Sequence, residues 1–209
     1  MFAQPTTIYT LAGALLAAFC ILGAFDGFYF HLYRFQLHKV PSARTEHIIH
    51  SVRALVFAPI AVLMFVLNSG GILLYIGIAA VIVDQVLEYF DIMLERDARL
   101  PLGGVPGTET VLHVFASSAK FAAIACIIAS KPIDAYALSS PLMLEPSLPI
   151  ELQALGSAFA AATLIGGIYS FVLMKPTSFF ATRKPHHKPI TYVYGGHKVI
   201  SLDQSSCRD

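Results

Sequence analysis

Five long apolar stretches constrain this chain more than any other feature. They run over about residues 7–38, 42–68, 72–97, 108–130 and 151–174. Each approaches or exceeds the roughly 20 largely apolar residues that a helix needs to cross a hydrocarbon layer. Lipid satisfies no backbone polar group, so such a segment closes its own hydrogen bonds as an α-helix. Composition agrees, with 56% hydrophobic and 13% charged residues, where a soluble domain carries about a quarter charged. The net charge of +1 gives no basic footprint for nucleic acid. The fold class is therefore all-α integral membrane protein, with five transmembrane helices of which the first four form an up-down bundle. Residues 1–174 make the transmembrane domain and 175–209 a basic cytoplasmic tail.

The boundaries carry turn chemistry. Ser42 after Pro41 is a good N-cap for helix 2. "NSGG" at 68–71 turns the chain, "LPLGGVPG" at 100–107 breaks it, and a Pro- and Ser-rich loop follows Lys131-Pro132. Residues 1–25 hold no charge, hence neither a basic n-region nor a clear cleavage site, and read as a retained first span. Basic residues Arg34, Lys39 and Arg44, then Arg96 and Arg99, then Lys175, Arg183, Lys184 and Lys188 fall on one side of a five-span topology. The positive-inside rule makes that side cytoplasmic, with the N-terminus outside and the expected setting a bacterial inner membrane. In the tail, "ITYVYGGHKVISL" alternates around Gly195-Gly196 as a short hairpin does. His186, His187 and His197 read as solvated, and Cys20, Cys126 and Cys207 lack metal or redox spacing.

Ionisable residues inside spanning segments are expensive and point to function. "RTEHIIHSVR" at 44–53 opens helix 2 directly before fifteen uncharged residues. By helical rise from the cytoplasmic end, His31, His50, Glu88, Asp91 and His113 lie roughly 9–14 Å deep, and Glu46, His47, Glu95 and Glu109 roughly 3–8 Å deep. Glu46, His50 and Arg53 share a stripe, as do Asp84, Glu88, Asp91 and Glu95, and Glu109, His113 and Lys120. On helix 1, His31 and His38 share a face, while Asp26 projects well away from them in an α-helical reading. A deeper layer of Asp26, Arg53, Asp84 and Lys120, one from each helix, is a neutral set suited to low dielectric.

Glu46-xxx-His50 and Glu109-xxx-His113 repeat one pattern on two helices of the same direction, and helix 3 adds Glu88, Asp91 and Glu95. The arrangement resembles the logic of di-iron and di-manganese carboxylate proteins, whose four-helix bundles direct Glu and His inward. It departs from them in spacing, because those proteins use Glu-x-x-His. The resemblance covers helices 1–4 and implies two divalent metal ions, with iron favoured and zinc or manganese as alternatives. The metal ligands are then Glu46, His50, Asp91, Glu95, Glu109, His113, His31 and His47, with Glu88, Arg53 and Arg96 in catalytic or steering roles. Neither HExxH nor HxxEH occurs.

The function read from these residues is a membrane metalloenzyme acting on a lipid, quinone or other apolar substrate. Iron points to oxidation, zinc to hydrolysis. Two alternatives stand beside it. One is a haem cytochrome with His31, His50 or His113 as axial ligands. The other is a transporter or assembly subunit that uses the buried charge layer.

Overall fold

The computed structural model describes residues 5–174 together with 192–194 and 197–199. The chain divides after Met174 into two units. In the first, five helices are long and apolar enough to cross a membrane. They are α1 (Pro5–Phe25), α2 (Arg44–Ala61), α3 (Gly71–Arg99), α4 (Gly107–Ala129) and α5 (Ile150–Leu173). In the second, Tyr192–Tyr194 pairs antiparallel with His197–Val199. Residues 195–196 and the tail histidines His186 and His187 lie outside the described residues.

Two helices change pitch where the site and the core need it. After Phe25 the chain widens into a π-helical segment, Asp26–Arg34. The Phe35 amide closes it by donating to the Phe30 carbonyl five residues back at 2.9 Å. The sequence carries helix 1 to His38, but the structure stops it at Arg34. Gln36 is left-handed at φ 48° and ψ 49°, which ends helical propagation. Val40 is extended, the conformation that the following proline imposes. The second π segment, Val62–Val66, follows Pro59 inside α2, where a residue without an N–H breaks the regular ladder.

Packing extends beyond the first four helices. α1 runs along α4, while α2 packs along both α3 and α5. α5 therefore belongs to the assembly as fully as the others. A Cβ on Gly167 of α5 would lie 2.8 Å from Leu55 Cδ2 and 3.1 Å from the Ser51 carbonyl oxygen. Small residues allow this approach between membrane helices, where dispersion rather than hydrophobicity holds them. Although a short connection joins α3 and α4, they make no extended backbone contact, and polar side chains bridge them instead.

The half of the bundle remote from that connection has an apolar core. Leu16, Phe57, Ile60, Met64, Phe65, Leu74, Ile124 and Ile127 are buried in it. At its end the Asn68–Gly71 turn is tied down by neighbouring chain, not merely tight. The Leu144 amide donates to the Asn68 carbonyl at 2.7 Å, and the Gly70 amide to that of Leu142 at 3.0 Å. Gly71 sits at φ +50° with the Ser140 carbonyl where a Cβ would be, so only glycine fits. Lys131 donates to Asn68 Oδ1 at 3.1 Å, and burial pushes its ammonium down to about 8.

Candidate metal centre

The opposite half holds a belt of buried charge. Asp84, Glu88, Asp91, Glu95 and Arg99 line one face of α3, all buried, because their spacing follows the 3.6-residue period. Facing them are Glu46, His50 and Arg53 on α2 and Glu109, His113 and Lys120 on α4. Asp26 and His31 come from the π segment.

Three subclusters make up the belt. In the deepest, Lys120 Nζ donates to Asp84 Oδ2 at 2.6 Å and Glu88 Oε2 at 2.5 Å. Arg53 reaches Asp84 at 3.4 Å, Glu88 at 3.0 Å and Asp91 at 2.9 Å. Ser117 donates to Glu88 Oε1 from α4. Arg53, Asp84 and Lys120 thus meet as the sequence predicts. Asp26 does not join them, and Glu88 and Asp91 take its place.

At the rim, Arg99 is fully buried. It donates to Glu46 through Nε and Nη2, with Nη2 2.7 Å from Oε1, and to Glu109 Oε1 at 3.0 Å. Its guanidinium carbon lies 4.8 Å from the centre of the Phe35 ring, a cation–π contact. Glu46 is therefore held by a two-toothed bond to arginine instead of standing free as a ligand.

Between these lies the third subcluster. Asp26, His31, Glu109 and His113 each offer one ligand atom, and the four atoms lie within 4.8 Å of one another. His113 Nε2 is 3.2 Å from Asp26 Oδ2, and His31 Nε2 is 3.5 Å from Asp26 Oδ2 and 3.6 Å from Glu109 Oε1. The π segment creates this grouping. Its i to i+5 winding brings Asp26 and His31 to one side of the turn, where an α-helix would separate them. The faces assigned from α-helical spacing are wrong here for that reason.

Other residues singled out from the sequence stand around this group. His50 Nδ1 is 3.5 Å from Asp91 Oδ2, and the His50 and His31 rings are 4.3 Å apart. His113 Nδ1 faces Glu95 Oε2 at 3.7 Å. His47 turns away, with Nε2 3.1 Å from the Ser170 carbonyl of α5, because it lies three residues before His50 on a helix flanked by both α3 and α5. Arg96 is exposed, one residue off the buried stripe of α3. Sequence reasoning missed Arg99 as a site residue by counting it with the loop charges. Its position four residues after Glu95 was the available signal.

Hydrogen bonding and charge show what the arrangement can do. Asp26 Oδ1, His31 Nε2, Asp91 Oδ1, Glu95 Oε1 and Glu109 Oε2 are buried without a hydrogen-bond partner. Arg99 Nη1 in the same belt is likewise without a hydrogen-bond partner. Buried polar atoms are normally satisfied, and the four carboxylate oxygens among these atoms can each accept a proton or a cation. Seven buried carboxylates, Asp26, Glu46, Asp84, Glu88, Asp91, Glu95 and Glu109, face three fixed cations, Arg53, Arg99 and Lys120. His31, His50 and His113 lie 3.2–3.7 Å from Asp26, Asp91 and Glu95, where protons on the imidazoles would offset part of the remaining negative charge. Uncompensated buried charge costs several kcal/mol per ion, so protons on the belt's own imidazoles and carboxylates, or a bound cation, would stabilise it. Comparison with protein-family models, curated proteins and solved structures finds no match to this chain.

Proposed function

We propose that the chain is a membrane-embedded metalloenzyme whose first metal ion is held by Asp26, His31, Glu109 and His113. The observation that carries this reading is the convergence of four nitrogen and oxygen ligand atoms within 4.8 Å, three of the four residues buried. No thiolate belongs to the set. A mixed carboxylate and imidazole set suits iron, manganese or zinc, and iron fits best with an apolar substrate reached inside a bilayer. Bound iron would supply the redox chemistry for oxidation of a lipid or quinol by O₂.

The chain's own residues divide the remaining work. Arg99 fixes Glu109 through Oε1 and leaves Oε2 free for the ion. Such outer-shell support is part of a metal site. Arg53 and Lys120 neutralise Asp84 and Glu88 below it. The His50 and His113 side chains are 33% and 27% exposed, so substrate meets the site along its imidazole edge while the carboxylates stay enclosed. Basic residues Arg34, Lys39, Arg44 and Arg96 near this end support a cytoplasmic-side site by the positive-inside rule.

One pairing of the haem alternative meets an obstacle. The His31 and His50 rings are in contact, with no space for a porphyrin between them. Mn²⁺ titrated into chelator-stripped protein is expected to raise its unfolding temperature, with about 2.7 kcal/mol of stabilisation at 100 times Kd. An unfolding temperature unmoved by Mn²⁺, Fe²⁺ and Zn²⁺ alike would reject the metal reading.

A further inference from the structure

We infer that His50 is a positioning residue, which holds the His31 imidazole in place for ligation without touching the ion itself. The inference rests on the metal reading above and deepens it. The sequence counts His50 among the ligands, yet the four atoms that converge belong to Asp26, His31, Glu109 and His113. What His50 does instead follows from its two neighbours. On one side its ring packs against that of His31, with centroids 4.3 Å apart and planes inclined by 53°. On the other, its Nδ1 lies 3.5 Å from Asp91 Oδ2, the oxygen to which Arg53 Nη1 donates at 2.9 Å.

Arg53 is anchored in turn. It pairs with Glu88 at 3.0 Å, and Lys120 of α4 ties Glu88 to Asp84. The deep ion-pair layer thus leads through Asp91 and His50 to the His31 ring. His31 needs such a support. Its Nε2 makes no hydrogen bond and stands 3.5 Å from Asp26 Oδ2 and 3.6 Å from Glu109 Oε1, so no bond through that nitrogen fixes the ring. A ligating imidazole keeps its orientation through partners behind it, and here packing by a second ring supplies that restraint.

The test uses the full chain in mild detergent with Mn²⁺ as the probe. Chelator competition reads affinity, and pulsed electron paramagnetic resonance reads the coordinated imidazole nitrogens. His50→Ala removes the ring and is expected to weaken binding about 10–100-fold, the range for losing an outer-shell partner. His50→Phe restores a flat ring without a nitrogen and should recover most of that affinity. Wild type and His50→Phe should show the same nitrogen signal, whereas His31→Ala should lose one imidazole from it. Loss of an imidazole signal in His50→Phe would make His50 a ligand and overturn the inference. Unchanged affinity in His50→Ala overturns it too, as does His50→Phe binding as weakly as His50→Ala. If His50→Ala does not fold, Asp91→Asn gives the second reading. It loosens His50 and should weaken binding with the nitrogen signal intact, and unchanged affinity there overturns the support through Asp91. A wild-type chain that binds no Mn²⁺, Fe²⁺ or Zn²⁺ removes the metal reading itself, and the inference with it.

Discussion

Arg99→Leu is expected to destabilise the protein by about 3–5 kcal/mol, the cost of removing one partner from a buried ion pair. Arg99 is fully buried and serves Glu46 and Glu109 together, so its loss leaves two carboxylates facing each other in low dielectric. Arg99→Lys keeps the charge but lacks the planar fork, and should recover only part of the loss. Pairing Arg99→Leu with Glu46→Leu removes one of the stranded acids and should restore part of the stability. Denaturant midpoints of the purified variants measure this. An Arg99→Leu protein as stable as wild type would show that the belt is solvated and carries little electrostatic weight.

The second large effect concerns the four-residue group itself. Asp26→Asn and His113→Ala are each expected to weaken metal binding by more than the roughly 10–100-fold typical of losing an outer-shell partner. Asp26 contributes a carboxylate whose Oδ2 lies between His31 and His113, and either substitution opens that arrangement. His47→Ala is the matched control, because His47 meets a carbonyl of α5 outside the group. It should bind metal as wild type does. Competition titration against a chelator of known affinity reads all three. Equal losses in His47→Ala and Asp26→Asn would mean that structural damage, not ligation, is being measured.

What the sequence could reveal followed from helical periodicity. The stripe Asp84, Glu88, Asp91, Glu95 keeps to the 3.6-residue repeat on an uninterrupted helix, so its burial on one face could be read directly. The meeting of Lys120 and Arg53 with Asp84 followed from depth alone. Asp26 was misplaced because nothing in its neighbours announces a change of pitch, and the π segment alone puts it beside His31. Arg99 was hidden by its position next to a Pro- and Gly-rich connection, where arginine ordinarily faces water. His47 and His50 look equivalent in "EHIIH", and only the packing of α5 against α2 separates them. That packing had a signal of its own. Gly156, Ala160 and Gly167 are buried at i, i+4 and i+11 on α5, a small-residue stripe of the kind that admits a close helix.

Total metal analysis, with the visible spectrum, of the protein purified in mild detergent decides whether the belt holds a metal. At least one iron, manganese or zinc per chain, retained through purification and without a Soret band, is the result expected. A chain that carries none, and takes up none when supplied with Fe²⁺, Mn²⁺ or Zn²⁺, would contradict it and leave the belt as a structural charge network.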